Sequence, residues 1–387
     1  MNGASAELRP VRPRLTAGRV PASSPSRRRN LTMTPPSPQR LLELLDIERP
    51  IIQAPMAGVS TPAMAAAVSE AGGLGSIGVG AGSAATAGEM IAAVRARSNR
   101  ALNVNLFCHR PAKADAVREA AWLERLRPEF DRVGAEPPAT IREIYKSFLE
   151  DDDMLATLLA ARPKVVSFHF GVPPPDRVRA MREAGIVLLG SATSLPEARL
   201  AASAGLHAVV AQGYEAGGHR GVFDPDGEDG QLGTVALTRL LVRELDIPVI
   251  AAGGIMDGAG IAAVLRLGAS AAQLGTAFVA TDESAADASY RAALFSEAAD
   301  RTVMTRAISG RPARCLANRF TAFGTGVTPD SVPSYPIAYD AGKSLHGAAK
   351  ATGDFGYGAH WAGQGAPLAR SLSAGRLMAE LIAESSR

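Results

Sequence analysis

The chain has 387 residues, of which 47% are hydrophobic and 20% charged, so it is long enough to bury a large core. Its formal net charge of +3 is unevenly spread, because residues 1–32 hold seven arginines and one glutamate. The rest of the chain is therefore mildly acidic, which excludes a broad basic surface for nucleic acid. No apolar run reaches the length of a membrane span.

The arginine-rich start of the chain is interpreted as a disordered tail rather than a transit peptide. Residues 1–35 combine arginine with proline and serine and show no clear amphipathic period. The two cysteines, Cys108 and Cys315, have neither metal-ligand nor disulfide spacing. We therefore expect a cytoplasmic protein without a metal site.

After the tail, short apolar runs alternate with helical patterns. The first run is followed by Thr61 and Pro62, a helix cap with proline at the first helical position. A longer charged stretch at 111–162 is predicted to be helical with an insertion. The predicted strands lie at 50–54, 74–77, 102–107, 165–168, 186–189, 208–211, 248–252 and 271–274.

Eight strands that alternate with helices predict parallel pairing and a closed (β/α)8 TIM barrel over residues 36–281. An open doubly wound sheet is the alternative, because counting from sequence can gain or lose a strand. Residues 282–345 break the rhythm: 285–299 looks helical and the rest looks loop-like. We interpret this segment as a cap inserted over the barrel mouth, and we expect residues 346–387 to return to the barrel wall.

The sixth predicted strand leads into the most distinctive loop, and the whole stretch 208–221 reads A-V-V-A-Q-G-Y-E-A-G-G-H-R-G. Its glycines let backbone N–H groups approach a ligand closely, and a histidine there can act as an acid or base near neutral pH. An isolated G-G-H is more often a flexible loop. Active sites of barrels lie at the carboxyl ends of the strands, however, so this position favours a catalytic role for His219.

Two further glycine loops follow the seventh and eighth strands, where barrels often bind phosphate. Gly253 and Gly254 offer unhindered N–H donors, and Gly275 and Thr276 add a donor and a hydroxyl. Neither loop contains lysine or arginine, so a cofactor phosphate would be held mainly by backbone dipoles. The alternative is that these glycines merely end the strands.

From residue 49 to the end, the chain resembles the nitronate monooxygenases, formerly called 2-nitropropane dioxygenases. The matching segments are, in order, I-I-Q-A-P-M-A-G-V-S-T-P, N-V-N-L-F, A-Q-G-Y-E-A-G-G-H-R-G, A-A-G-G-I, Q-L-G-T, S-G-R-P-A-R and W-A-G-Q. The resemblance implies a TIM barrel that carries non-covalent FMN, with His219 as the catalytic residue. Together with the neighbouring loop glycines, the expected cofactor contacts are Ala54, Pro55, Met56, Asn105, Gln212, Gly217, Gly218, Gly253, Gly254, Gln273, Leu274, Gly275 and Thr276.

The reaction implied by the resemblance is the FMN-dependent oxidation of alkyl nitronates, including propionate 3-nitronate or the parent nitroalkanes, with O2 to a carbonyl compound and nitrite. Neutral His219 could remove an α-proton from a nitroalkane, and protonated His219 could pair with a nitronate; both roles stay open. Gln212 and Asn105 are amides suited to the edge of the flavin ring, although polar residues at strand ends are common. The expected partners are the nitronate and O2, with a homodimer as the candidate assembly.

Two other functions compete with this one. An FMN-dependent enoyl-acyl carrier protein reductase or quinone reductase that uses NAD(P)H would share the barrel and the G-G-H loop, although no separate nucleotide fingerprint is visible. A non-catalytic FMN-binding protein is the second rival. The remaining histidines His109, His169 and His207 are interpreted as satisfied packing residues, of which His169 could line the barrel mouth.

Overall fold

The computed structural model describes Met1 and residues 38–386 of the chain. Apart from Met1, the tail predicted at 1–35 lies outside these described residues. Eleven strands are present in the described part: β1 (Ile51–Gln53), β2 (Gly75–Gly78), β3 (Leu102–Phe107), β4 (Val165–His169), β5 (Val187–Ala192), β6 (Ala208–Gln212), β7 (Gly218–His219), β8 (Val249–Ala252), β9 (Ala271–Leu274), β10 (Thr302–Thr305) and β11 (Ala313–Leu316).

The α-helices of the described residues mostly separate these strands along the chain. They are α1 (Pro38–Leu45), α2 (Pro62–Glu70), α3 (Ala84–Arg95), α4 (Ala116–Arg132), α5 (Asp152–Ala161), α6 (Pro175–Glu183), α7 (Leu195–Ser203), α8 (Thr234–Glu244), α9 (Gly258–Arg266), α10 (Thr276–Val279), α11 (Ala288–Leu294), α12 (Arg319–Gly324), α13 (Ile337–Ala351) and α14 (Ala374–Ser385). Short 3-10 helices lie at Glu297–Asp300, Pro329–Ser331 and Ala366–Leu368. The predicted cap of α2 is confirmed, since the Thr61 hydroxyl accepts from the Met64 N–H at 3.1 Å.

Eight strands form the predicted parallel barrel, in the order β1-β9-β8-β6-β5-β4-β3-β2. An isolated parallel bridge between Ile52 and Leu74 joins the two ends of this sheet and closes the ring. Buried Gln53 supports the same seam: its backbone N–H donates to the Leu74 carbonyl at 3.0 Å, and its side-chain carbonyl accepts from the Ser76 N–H at 2.8 Å. The open-sheet alternative is therefore excluded, and the TIM-barrel prediction is confirmed.

The core has one layer inside the ring and one between the strands and the helices, because successive strand residues point to opposite faces. Inward-facing residues such as Val210 and Ile250 meet Leu41 and Leu45 of α1, and both leucines are fully buried. Helix α1 therefore plugs the end of the barrel at which the strands begin. The opposite end, where the strands finish, is left for a site.

The segment after the barrel differs from the loop-like interpretation. Strands β10 and β11 form an antiparallel hairpin, and β11 also pairs antiparallel with β7. The cap boundary predicted at residue 345 falls inside helix α13, which runs through residue 351. The sequence pattern missed these elements because they are short and built from mixed polar residues. The division into a barrel, a cap and a returning segment stays a prediction.

The last helix lies on the outside of the barrel, where it contacts α9 and α2. Its Leu377, Met378 and Leu381 are buried against the outer layer of the core. In the part of the chain that the structure describes, no helix has both the length and the apolar character needed to cross a bilayer.

Candidate active site

A cavity of about 480 Å3 lies at the carboxyl ends of the barrel strands. Its walls contain His219 and twelve of the thirteen predicted cofactor contacts. These twelve residues are Ala54, Pro55, Met56, Asn105, Gln212, Gly217, Gly218, Gly253, Gly254, Gln273, Gly275 and Thr276. The structure therefore brings together residues that are separated by more than 200 positions in the sequence.

Leu274 is the exception, because it does not line the cavity, and a side-chain contact from it to a cofactor is therefore not supported. Its side chain packs with Ile51, Met64 and Phe278 in the layer between strands and helices. Side chains alternate along a strand, so Gln273 faces the cavity and Leu274 faces away from it. Leu274 contributes through its backbone, since its carbonyl accepts from the Ala54 N–H at 2.8 Å.

His219 is positioned by strand pairing rather than by a flexible loop. It lies in β7, where it is opposite Ala313 of β11. The next residue extends this contact, because the Arg220 N–H donates to the Pro312 carbonyl at 2.8 Å. The imidazole ring then contacts the S-G-R-P-A-R segment directly: its Nε2 lies 2.9 Å from the Ser309 hydroxyl.

The Ser309 hydroxyl joins the His219 ring to the backbone of Arg311. Its oxygen lies 2.9 Å from Nε2 of His219, 3.3 Å from the Arg311 carbonyl oxygen and 3.4 Å from the Arg311 nitrogen. The bond to the ring forms with either neutral tautomer, because the hydroxyl can accept from Nε2–H or donate to the Nε2 lone pair.

The electrostatic surroundings keep this ring neutral. Burial lowers the pKa of His219 to about 3, and the nearby His169, Arg311 and His109 act in the same direction. Near neutral pH the imidazole is therefore uncharged. This favours the neutral role that the sequence left open over an ion pair between His219 and an anion.

Two side chains, one from β6 and one from β4, fix the backbone of His219. The Gln212 amide donates to the His219 carbonyl at 3.0 Å and accepts from the Gly221 N–H at 2.7 Å. His169 donates to the same carbonyl from Nε2 at 3.1 Å, and its Nδ1 lies 3.0 Å from the Ser191 hydroxyl. Both the N–H and the carbonyl of the Gln212 amide are therefore bonded within the loop. His169 lines the cavity, as expected.

The other two predicted amides differ in their partners. Asn105 donates to the hydroxyl and carbonyl of Ser167, at 3.0 and 3.2 Å. Gln273 lines the cavity and makes no side-chain hydrogen bond within the described residues. Its carboxamide is therefore the one most available for a bound molecule.

Buried arginines hold the rest of the loop. Arg220 forms a two-pronged ion pair with Asp229, at 2.8 and 3.0 Å, and also donates to the Gln212 carbonyl at 2.6 Å. Arg314 donates twice to the Tyr214 carbonyl, at 3.1 and 2.7 Å. Its guanidinium lies 4.8 Å from the centre of the Tyr214 ring. The two arginine-containing motifs, A-Q-G-Y-E-A-G-G-H-R-G and S-G-R-P-A-R, are therefore in direct contact.

The glycine loops meet at one side of the cavity. Gly253 and Gly254 have φ values of 116° and 71°, a region that side chains other than glycine rarely adopt. A Cβ at Gly217 would overlap the backbone of Ala362 and Gly363. The Thr276 hydroxyl accepts from the Gly363 N–H at 3.0 Å, so the W-A-G-Q segment joins the same wall. This side presents backbone groups at close range, as a phosphate site requires.

Another part of the cavity lining is an aromatic wall that the sequence did not predict. Its members are Phe107, Tyr145, Phe170, Tyr335, Tyr339 and Trp361, with Lys343 beside them. The Lys343 ammonium lies 5.0 Å from the Tyr145 ring centre and 5.4 Å from that of Tyr339. One signal was available: Tyr335, Tyr339 and Lys343 follow an i, i+4, i+8 spacing, which places Tyr339 and Lys343 on one face of α13.

His109 and His207 were both interpreted as satisfied packing residues, but in the structure their rings differ in hydrogen bonding. The Nδ1 of His207 accepts from the Leu188 N–H at 2.9 Å, as a packing histidine would. His109 is buried behind the aromatic wall, where its Nε2 lies 3.9 Å from a Glu143 carboxylate oxygen, and neither ring nitrogen makes a hydrogen bond among the described residues. Its ring contacts Tyr335 edge to face at 5.1 Å. The interpretation is therefore wrong for His109.

Comparison with known proteins decides the family to which this barrel and site belong. The sequence profile of the family described as nitronate monooxygenase matches residues 38–384. The chain belongs to the nitronate monooxygenase family. This confirms the resemblance drawn from the motifs and identifies the chain as an oxidoreductase of that family.

Individual members of the nitronate monooxygenase family match most of the chain. A nitronate monooxygenase of Paraburkholderia phytofirmans is 61% identical over 344 residues, which cover 89% of this chain and 94% of the relative. One of Pseudomonas aeruginosa is 56% identical over 348 residues, which cover 89% of this chain and 98% of the relative.

Among solved structures, a nitroalkane oxidase from Streptomyces ansochromogenes is 42% identical, with a TM-score of 0.82, and the match covers 89% of this chain and 97% of that one. FabK from Thermotoga maritima is more distant, at 30% identity and a TM-score of 0.67, with coverage of 92% and 97%.

Proposed function

We propose that this protein uses FMN and O2 to oxidise alkyl nitronates to a carbonyl compound and nitrite. The observation that carries the proposal is one cavity at the carboxyl ends of the barrel strands, lined by His219, by the strand-end glycines and by the amide of Gln273. Membership of the nitronate monooxygenase family supports the same reaction class. Cytoplasmic location and a homodimer stay predictions.

The residues of the cavity fit FMN. Its volume of about 480 Å3 lies within the usual range for cofactor and ligand pockets. Gly253 and Gly254 would hold the phosphate with backbone N–H groups, and the unpaired amide of Gln273 would bond to the ring edge. When bound, FMN supplies the electron transfer of the reaction, and the protein supplies binding, orientation and electrostatics.

The chain would contribute a base, His219, and a positive charge at the mouth of the cavity, Lys343. In the tautomer that carries its proton on Nε2, Nδ1 of neutral His219 would accept the α-proton of a nitroalkane, whereas a nitronate has already lost that proton and needs no base. Lys343 has no carboxylate within ion-pair distance in the described part of the chain, so its charge remains available to an incoming anion. Burial lowers the pKa of Lys343, which indicates that part of its hydration is already lost.

The reductase that uses NAD(P)H remains the alternative. The structural similarity to FabK is compatible with it, but that similarity is weaker than the one to the nitroalkane oxidase. An anaerobic mixing experiment separates the two functions. The purified protein, loaded with FMN, is mixed in parallel with propionate 3-nitronate, an alkyl nitronate and NADH, and flavin bleaching is followed by absorbance. We expect both nitronates to bleach the flavin rapidly and NADH not to do so; rapid bleaching by NADH alone would replace the proposal with the reductase.

A further inference from the structure

Arg311 carries a positive charge deep behind the aromatic wall. The residue is 3% exposed. One of its terminal nitrogens donates to the Val222 carbonyl, whereas its Nε has no hydrogen-bond partner within the described residues. A buried charge without an opposite charge destabilises a fold strongly. A protein that keeps such a group therefore gains something other than stability from it.

The two carboxylates that act on the charge of Arg311, those of Asp226 and Glu197, are bonded to other groups. Asp226 pairs with Arg306 at 2.9 Å. Glu197 accepts from the Phe223 N–H at 2.8 Å and from Thr193 at 2.7 Å. Over the described ranges, no carboxylate lies within 4 Å of the Arg311 guanidinium, in contrast to Arg220 with its partner Asp229.

Phe170 separates this charge from the cavity. The guanidinium of Arg311 lies 4.3 Å from the centre of the Phe170 ring, and Phe170 itself lines the cavity. The same ring meets His219 edge to face at 5.8 Å. Phe170 has a φ of 74°, a conformation that is rare for a bulky residue and is typical of positions held under functional constraint.

An apolar ring between a charge and a cavity excludes water but transmits the electric field, because the medium between them has a low dielectric constant. Burial lowers the pKa of Arg311 to about 10, so the group is still charged at neutral pH. Burial also lowers the pKa of His169 to about 4, and Arg311 and Arg220 act in the same direction. With His169 and His219 neutral, Arg311 adds positive potential behind the wall and Lys343 adds it at the mouth.

We propose that Arg311 is an electrostatic positioning residue that acts through Phe170 and favours anionic over neutral ligands in the cavity. The ligand class is a small planar monoanion of the size of a nitronate group. The inference rests on the proposed function only for the identity of that anion, since the field of Arg311 acts on any anion that enters.

The test uses the full-length FMN-loaded protein with inorganic nitrate as an unreactive planar anion. Nitrate affinity is measured by calorimetry, and the flavin midpoint potential is measured without substrate. Arg311→Lys keeps the charge, and Arg311→Gln keeps a hydrogen-bond donor for Val222 without the charge. We expect Arg311→Gln to bind nitrate about tenfold more weakly, as expected for one charge acting through a protein medium. We also expect its potential to be more negative, with Arg311→Lys close to the wild type in both measurements.

Arg311→Met tests the idea if the glutamine variant does not fold, because methionine fills similar volume without a buried polar atom. Here we expect a Tm equal to or above that of the wild type together with weaker nitrate binding. Arg177→Met is the matched control: Arg177 is also buried over a phenylalanine ring, at 5.2 Å from Phe148, but it is paired with Asp152. It should lose stability and keep nitrate affinity.

Unchanged nitrate affinity and midpoint potential in Arg311→Gln or Arg311→Met would overturn the proposal, as would an equal loss in Arg311→Lys. Failure of the nitronate reaction itself would show differently. The wild-type flavin would then not bleach with nitronates, while the nitrate affinities of the variants would still report on Arg311.

Discussion

At the scale of single residues, His219 and His109 show how the same side chain takes different roles from its surroundings. His219 has a hydrogen-bond partner in Ser309 and faces the cavity. His109 is 1% exposed, and no hydrogen bond to its ring occurs in the described residues. The first environment presents a neutral imidazole to the cavity, and the second encloses an imidazole among aromatic rings; burial lowers the pKa of both.

Replacing His219 by alanine should separate proton abstraction from the later chemistry. We expect turnover of a nitroalkane to fall by about 10²–10⁴-fold, the usual contribution of a general base. Turnover of the matching nitronate should fall much less, because that substrate is already deprotonated. The measurement is steady-state kinetics with both forms of one substrate, with flavin content checked by absorbance. His346→Ala, on α13 and outside the cavity lining, is the control; equal losses on both substrates would remove His219 as the base.

Replacing His109 by phenylalanine should make the protein less sensitive to acid. Burial lowers the pKa of His109 to about 4 from an ordinary value of 6.5. The unfolded chain therefore binds a proton below about pH 6.5 that the folded chain binds only near pH 4, so stability falls as the pH drops through this window. For this one group the loss between pH 7 and pH 5 is about 2 kcal/mol. Denaturant titrations at both pH values check it, and an unchanged pH dependence in His109→Phe would contradict the account.

At the scale of elements, the active-site loop depends on contacts with distant segments. Strand β7 is only two residues long and exists because β11 pairs with it. The backbone of Glu215 is bonded in turn to the segment that follows Trp361, since its carbonyl accepts from the Gln364 N–H at 2.9 Å. The loop is therefore rigid for reasons that its own glycine-rich sequence does not contain.

Gly217→Ala should disturb this arrangement. The added Cβ would overlap the backbone of Ala362 and Gly363, so one of the two loops must move. We expect a loss of about 1–3 kcal/mol of stability, the usual range for overpacking, together with weaker FMN retention. Gly230→Ala is the matched control, because a Cβ there would meet nothing within 4 Å. Thermal unfolding and fluorescence of released flavin measure both effects, and equal behaviour of the two variants would refute the packing argument.

The sequence predicted the local part of the site better than the assembled part. Strand-end glycines and His219 carry signals within a few residues, because turn geometry and close backbone approach need specific residue types. The aromatic wall has no such local signal, since Phe170, Tyr335 and Trp361 meet only after the chain folds. The hairpin of β10 and β11 was missed for a related reason: its pairing with β7 is a long-range contact.

At the scale of the whole molecule, the barrel could be predicted because each βα unit has its own periodic apolar pattern. All eight predicted barrel strands overlap the observed ones, and the ring order follows from parallel pairing of successive units. The outer attachment of α14 was predicted only as a return to the wall. Its partners α9 and α2 depend on the shapes of surfaces far apart in the chain.

Gly258→Ala should weaken this outer attachment. The start of α9 touches the end of α14 so closely that a Cβ at Gly258 would overlap Glu384 and Ser385. The Gly258 N–H also donates to the Glu384 carboxylate at 2.9 Å. We expect a loss of about 1–3 kcal/mol in the free energy of unfolding. In the same helix pair, Gly375→Ala has open space and should gain about 0.5–1 kcal/mol. Denaturant unfolding of both variants measures these changes. An unchanged free energy of unfolding in Gly258→Ala would contradict the close contact.

The closure of the barrel between β1 and β2 has a consequence for how the native state opens. Neighbouring strands elsewhere in the ring share a ladder of paired residues, whereas this junction has one bridge at Ile52 and Leu74 and the side chain of Gln53. Amide hydrogens there are protected by fewer cooperating bonds, so their exchange with deuterium should be the fastest within the ring. Partial unfolding would then start by parting this junction, and the first strand would leave the ring before its neighbours on the other side.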